Sequence, residues 1–176
     1  MTVRSLNVPG AVMEIAQAAF QRARAGDAAG LQALLDLGFP SGARNEKGDS
    51  LLMLASYHGH LDVVRLLLER GASPDEANEV GQTPLAGAAF KGDAAVVAQL
   101  LDHGARVDGE DPQGRTPLMF AAMFDRADVA ELLLLRGASV EHADASGTTA
   151  LALARTMGAA RTAELLAAIG PTDRAR

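Results

Sequence analysis

The chain has 176 residues, of which 48% are hydrophobic but only 3% aromatic, and its formal net charge is -6. An acidic chain without clustered Lys and Arg is a poor match for nucleic-acid phosphates, so we expect no nucleic-acid partner. The absence of Cys excludes disulfides, thiolate metal sites and a cysteine nucleophile. No apolar stretch approaches the roughly 18 residues of a membrane span, and no secretory signal is evident, so we expect a cytoplasmic protein that does not contact a membrane.

Similar segments recur every 33 residues along most of the chain. The period is clearest in a glycine column and a leucine column, which comprise Gly48, Gly81, Gly114 and Gly147, and Leu34, Leu67, Leu100, Leu133 and Leu166. A fixed period of this length indicates a stack of small supersecondary units that share one hydrophobic core. The predicted divisions are an N-terminal extension at 1–12, five units at 13–44, 45–77, 78–110, 111–143 and 144–170, and a C-terminal tail at 171–176.

The first unit is predicted to contain two helices, at 13–24 and 28–37. Apolar residues fall at helical spacing in both segments. The dipeptide Pro9-Gly10 is interpreted as a break before the first helix. Because this unit lacks the Thr-Pro-Leu sequence found in later units, we interpret it as an atypical terminal repeat that meets water on its outer face.

Units two to five each begin with a turn signal and a hydroxyl residue that can cap the first helix. These hydroxyl residues are Ser50, Thr83, Thr116 and Thr149. In units three and four a Pro follows at the favoured first helical position. The fourth unit has Asp125 where the other units have Gly, which predicts a strained turn between its two helices if that position is left-handed.

The Thr-Pro-Leu sequences at 83–85 and 116–118 resemble the ankyrin repeat. Each is followed by Ala at the right offset, an apolar run of the Val-Val-x-x-Leu-Leu type and Gly-Ala. The match extends over nearly the whole chain, which looks like the small stand-alone ankyrin repeat proteins of bacteria. The resemblance implies an all-α solenoid of about five 33-residue helix-turn-helix units with β-turn fingers. It also implies a protein-binding scaffold without catalytic activity.

One column varies strongly in side-chain size from unit to unit. Its members are Leu54, Gly87, Phe120 and Leu153. Because protein interiors are close-packed, we expect Phe120 to fill the space left above Gly87. On that hypothesis Gly87→Leu would overpack the core.

A second column, at the end of each first helix, points to a partner-binding surface. The paired residues there are Tyr57-His58, Phe90-Lys91, Met123-Phe124 and Thr156-Met157, and they include three of the six aromatic residues. The ankyrin resemblance implies that this column lies on the concave face, where aligned large side chains are typical of an interface. Alternatively, some of these rings pack between neighbouring first helices. Polar and charged turn tips would form a rim. The predicted partner-binding residues are Tyr57, His58, Phe90, Lys91, Met123, Phe124, Glu46, Lys47, Asp49, Glu79, Gln82, Gln113 and Arg115.

No motif predicts catalysis. The sequence His58-Gly59-His60-Leu61-Asp62 has the H-x-H-x-D spacing of some metal sites, but a Gly-His junction between helices is ordinary in ankyrin repeats. We therefore predict no catalytic, cofactor or metal site, and a monomer that binds another protein of unknown identity. The alternatives are a tight inhibitor or immunity-type protein, an accessory protein of a stress enzyme, and a self-associating structural subunit.

Overall fold

The computed structural model describes residues 9–169, with side chains described from Val12 onward. Over this range the chain forms ten helices and no extended strand, which confirms the predicted all-α solenoid. The helices are α1 Pro9–Ala25, α2 Ala28–Asp36, α3 Leu51–His58, α4 Leu61–Glu69, α5 Pro84–Lys91, α6 Ala94–Asp102, α7 Pro117–Met123, α8 Ala127–Leu135, α9 Ala150–Met157 and α10 Ala160–Ile169. The predicted C-terminal tail and residues 1–8 of the predicted extension lie outside the described residues.

Helix α1 begins at Pro9, so the prediction that Pro9-Gly10 breaks the chain before the first helix is wrong. Proline is well tolerated in the first turn of a helix, because the N–H it lacks would have no partner inside the helix. The dipeptide therefore starts the helix, and the predicted extension overlaps it at positions 9–12.

The helices form two rows. The odd-numbered helices pack side by side from α1 to α9, the even-numbered helices do the same from α2 to α10, and each unit pairs one helix from each row. A single cluster of apolar side chains runs through all five units. Four of the five leucines in the 33-residue column belong to this core and are buried, whereas Leu34 is only partly buried.

The predicted hydroxyl caps are confirmed. Each accepts a hydrogen bond from the backbone N–H three residues later, at 3.1 Å for Ser50, 3.2 Å for Thr83 and 3.4 Å for both Thr116 and Thr149. Such a cap contributes on the order of 1 kcal/mol to helix stability. The start of every first helix in units two to five is therefore determined by local chemistry.

A column of Asn and Asp residues shapes the turn that precedes each cap. Asn45 Oδ1 accepts hydrogen bonds from the backbone N–H groups of Lys47 and Asp49, both at 2.9 Å. The equivalent residues Asn78, Asp111 and Asp144 repeat this arrangement. We call these turns, at 44–50, 77–83, 110–116 and 143–149, the fingers. Adjacent fingers are also joined, since Glu79 N–H donates to the Lys47 carbonyl at 3.3 Å.

Asp125 has the left-handed backbone predicted for it, with φ 52°, which is the only positive φ of a non-glycine residue in the described range. Its side chain has a role that the sequence does not suggest. Asp125 Oδ1 accepts hydrogen bonds from the backbone N–H of Thr162 at 2.8 Å and from the Thr162 hydroxyl at 3.0 Å. The backbone hydrogen bond from Thr162 is the main reason that the pKa of Asp125 lies below its ordinary value. The strained turn of unit four is therefore a link to unit five.

Candidate protein-binding surface

Three aromatic side chains from consecutive units contact one another in a row. Tyr57 lies near the end of α3, Phe90 near the end of α5, and Phe124 follows the last residue of α7. The Tyr57 and Phe90 rings are stacked, with centroids 5.9 Å apart and an interplanar angle of 15°. The Phe90 and Phe124 rings meet edge to face, with centroids 4.4 Å apart. We call these three side chains the aromatic stripe.

The three rings of the aromatic stripe contact one another, and the two outer rings are also exposed to solvent. The relative accessibility is 40% for Tyr57 and 37% for Phe124, while Phe90, which lies between them, is half-buried. Rings that contact each other in this way lose little further freedom when a partner covers them. Met123 lies 33 residues after Phe90 and is therefore its equivalent in the next unit, and its side chain is half-buried. The ring that contacts Phe90 is that of the following residue, Phe124.

The polar neighbours of the stripe are His58 and Lys91. The Lys91 ammonium nitrogen lies 5.0 Å from the centroid of the Tyr57 ring, which is a cation–π contact. Partial burial is the main cause that lowers the pKa of His58, and the charges of His60, Lys91 and Arg24 act in the same direction. His58 is therefore mostly neutral at pH 7, and Lys91 supplies the positive charge at this edge of the stripe.

The predicted rim residues divide into two groups. Five are exposed at the tips of the fingers, namely Glu46, Lys47, Glu79, Gln82 and Gln113. The other two are half-buried and bonded within the fingers. Asp49 accepts hydrogen bonds from the Asn45 and Asn78 amides, and Arg115 pairs with Asp111 at 2.7 Å. The exposed group is therefore the more accessible part of the predicted rim.

A cavity of about 370 Å³ opens beside the stripe, between units two and three. Its apolar lining includes Met53, Tyr57, Phe90 and Phe120, together with Gly87. The prediction that Phe120 fills the space above Gly87 is therefore wrong. A Cβ atom placed on Gly87 would have Met53 and Tyr57 of the preceding unit as its nearest neighbours, at 3.7 Å, and Phe120 is one wall of the open space.

The arrangement of paired helices and linked fingers agrees with comparison to known proteins. The family model described as ankyrin repeats matches three overlapping segments, residues 15–111, 53–144 and 88–174. The chain belongs to the ankyrin repeat family. The ankyrin repeat protein PA3287 of Pseudomonas aeruginosa is 62% identical over 47 residues, which are 27% of this chain. The match covers 28% of that relative, so the chain spans little more than a quarter of its length.

Ankyrin repeats are generally protein–protein interaction modules and not catalytic domains. Consistent with this, the H-x-H-x-D sequence of unit two serves the ankyrin scaffold. His60 Nε2 lies 2.7 Å from the Arg24 carbonyl oxygen and so connects units one and two. Across residues 9–169 no cluster of three or more His, Asp or Glu side chains could hold a metal ion. In the same range no helix is long and apolar enough to cross a membrane.

The sequence prediction missed the cavity and several of its lining residues. Asn78, Met53, Leu54 and Phe120 line it, and none of them was predicted to bind a partner. The available signal was Gly87, which has no side chain in a column where units two, four and five carry Leu or Phe. A missing side chain in a repeated column can indicate either a filled gap or an open one, and the tertiary structure decides between them.

Proposed function

We propose that this ankyrin repeat chain binds another protein through the aromatic stripe and the exposed finger tips beside it. The observation that carries the proposal is the continuous contact of Tyr57, Phe90 and Phe124 across three units, with the two outer rings 40% and 37% exposed. Exposed aromatic side chains held in fixed positions are the usual anchors of protein interfaces. We propose that the chain acts as a monomer and performs no chemistry of its own.

The finger tips supply a polar rim for such an interface. The exposed residues here include two negative and one positive side chain as well as two neutral amides. They are Glu46, Glu79, Lys47, Gln82 and Gln113. A polar, mixed-charge border around an apolar centre is the common anatomy of a protein interface. The hydrogen bonds inside and between the fingers hold these tips in place before binding, so little entropy is lost when a partner docks.

Affinity capture from a lysate of the source organism tests the proposal. The stripe variant Tyr57→Glu/Phe124→Glu places two carboxylates on the aromatic stripe and keeps Phe90. The matched control is Leu37→Glu/Leu135→Glu, because Leu37 and Leu135 are 86% and 78% exposed and lie at the ends of α2 and α8, in the other helix row. We expect a protein that is retained by wild type and by the control but lost with the stripe variant.

The variants must first show the same helical circular dichroism and the same urea midpoint as wild type. Loss of binding can then not be attributed to unfolding. The captured protein would then be purified and its binding measured by calorimetry. Equal retention of the same protein by the stripe variant would contradict the proposal. Loss of binding with the Leu37/Leu135 control alone would place the interface on the second-helix row.

A further inference from the structure

The cavity beside the stripe has the size of a small ligand site. Its volume of about 370 Å³ falls within the usual range for ligand pockets, about 300–1,000 Å³. One water needs only about 10–15 Å³. Gly87 lines the cavity without a side chain, and aromatic rings from three units line it as well, namely Tyr57, Phe90 and Phe120.

The polar lining of the cavity includes a carboxylate without a counter-ion. Asp49 Oδ1 accepts a hydrogen bond from the Asn78 amide at 2.8 Å, and Oδ2 accepts one from the Asn45 amide at 3.1 Å. Both donors are neutral. Within the part of the chain that the structure describes, no Lys, Arg or His lies within 4.0 Å of this carboxylate. Each oxygen keeps lone-pair capacity for a further donor.

Two positive side chains lie over aromatic rings that line the cavity, but neither is part of the lining. Lys91 lies over the Tyr57 ring and borders a neighbouring groove. The Arg115 guanidinium lies 5.0 Å from the Phe120 ring centroid and pairs with Asp111. Neither side chain lines the cavity. The lining therefore carries one negative charge and no positive side chain apart from the mostly neutral His58.

This combination favours a cationic occupant over an apolar one. An apolar side chain that entered the cavity would strip water from Asp49 without replacing its interactions, which is costly for a charged group. A guanidinium would give the carboxylate a charge-assisted hydrogen bond, and its flat faces stack on aromatic rings. We propose that this cavity is the subsite for an arginine side chain of the bound protein, with Asp49 as its counter-ion. The inference rests on the proposed function, because it names the side chain that the partner inserts.

A single-residue probe tests the subsite without the partner. The probe is N-acetyl-arginine methylamide, titrated into the full chain labelled with nitrogen-15 and followed by amide chemical shifts. For a probe of this size we expect a Kd of about a millimolar, with the largest shifts near Asp49 and Gly87. The citrulline derivative has the same shape without the charge, and the norleucine derivative is apolar. We expect both to bind about 10-fold more weakly or worse.

Two variants assign the binding to the cavity. Asp49→Asn removes the charge at nearly constant shape and should weaken arginine binding about 10-fold or more. Gly87→Leu keeps the carboxylate but places a side chain in the cavity, and it should abolish the shifts. The matched control is Glu131→Gln, which removes one negative charge from an exposed position on α8 and should leave the Kd unchanged.

Several results would overturn the inference. These are norleucine binding as tight as arginine binding, Asp49→Asn binding the arginine probe as well as wild type, or no shifts with any probe at about 10 mM. The lysine derivative, run in parallel, separates guanidinium from ammonium recognition, and preference for lysine would reject arginine as the occupant. Capture of a protein through the stripe by both wild type and Asp49→Asn would retain the proposed function and remove only the subsite.

Discussion

Replacing Gly87 with alanine should stabilise the protein, although the residue lies inside helix α5 at the junction of two units. Gly87 is not among the glycines with positive φ, so alanine can adopt its backbone conformation. The added Cβ would lie 3.7 Å from Met53 Sδ and 3.7 Å from Tyr57 Cδ2, which is ordinary van der Waals contact. Glycine inside a helix is less favourable than alanine by about 0.5–1 kcal/mol, and we expect a gain of that size.

The assay is urea unfolding followed by far-ultraviolet circular dichroism. The midpoint should rise while the slope of the transition stays the same, because the surface exposed on unfolding hardly changes. Gly81→Ala is a matched control with the opposite expectation. Gly81 has φ 78°, and a Cβ atom placed on it would clash with Pro112 Cδ. We expect a loss of at least about 1–2 kcal/mol there from the backbone alone.

Gly87→Leu extends the same reasoning. If Phe120 filled the space above Gly87, the larger side chain would overpack the core and cost about 1–3 kcal/mol. Because the space is an open cavity of about 370 Å³, we expect stability within about 1 kcal/mol of wild type. Destabilisation by both Gly87→Ala and Gly87→Leu would refute the open cavity and restore the filled one.

Three further substitutions test the scaffold by urea unfolding. Ser56 is fully buried and its hydroxyl has no hydrogen-bond partner among the described residues, so Ser56→Ala should stabilise by about 1 kcal/mol; a loss of stability would reveal a hidden partner. Thr83→Ala removes a helix cap and should lower the free energy of unfolding by about 1 kcal/mol. An unchanged urea midpoint would show that the cap contributes no stability. Because the pKa of Asp125 is lowered, its charge stabilises the fold above the ordinary carboxyl pKa, and this contribution is lost as pH falls through the lowered pKa. Asp125→Asn should therefore be less stable than wild type at pH 7, with the difference shrinking as the pH falls below the ordinary Asp pKa of about 3.9. A pH-independent difference would contradict this role for the charge.

The local structure of each unit could be predicted from the sequence, because it depends on contacts a few residues apart. Ser50 and Thr83 cap helices through the N–H three residues later, and Asn45 organises its own finger. The 33-residue period then indicates that these units stack on one another. The exception at the N-terminal end was Pro9, since a proline followed by glycine is compatible both with a break and with a first helical turn.

The tertiary structure alone decided how neighbouring units meet. The period aligns Phe90 with Met123, but side-chain packing brings Phe124 to the Phe90 ring. It also leaves the space at Gly87 open, and it places the Asp49 carboxylate on that space without a counter-ion. These features depend on distances of a few ångströms between side chains 29 to 34 residues apart. Periodicity specifies which columns are adjacent, whereas the packing of each side chain against its neighbours determines which gaps are filled and which stay open.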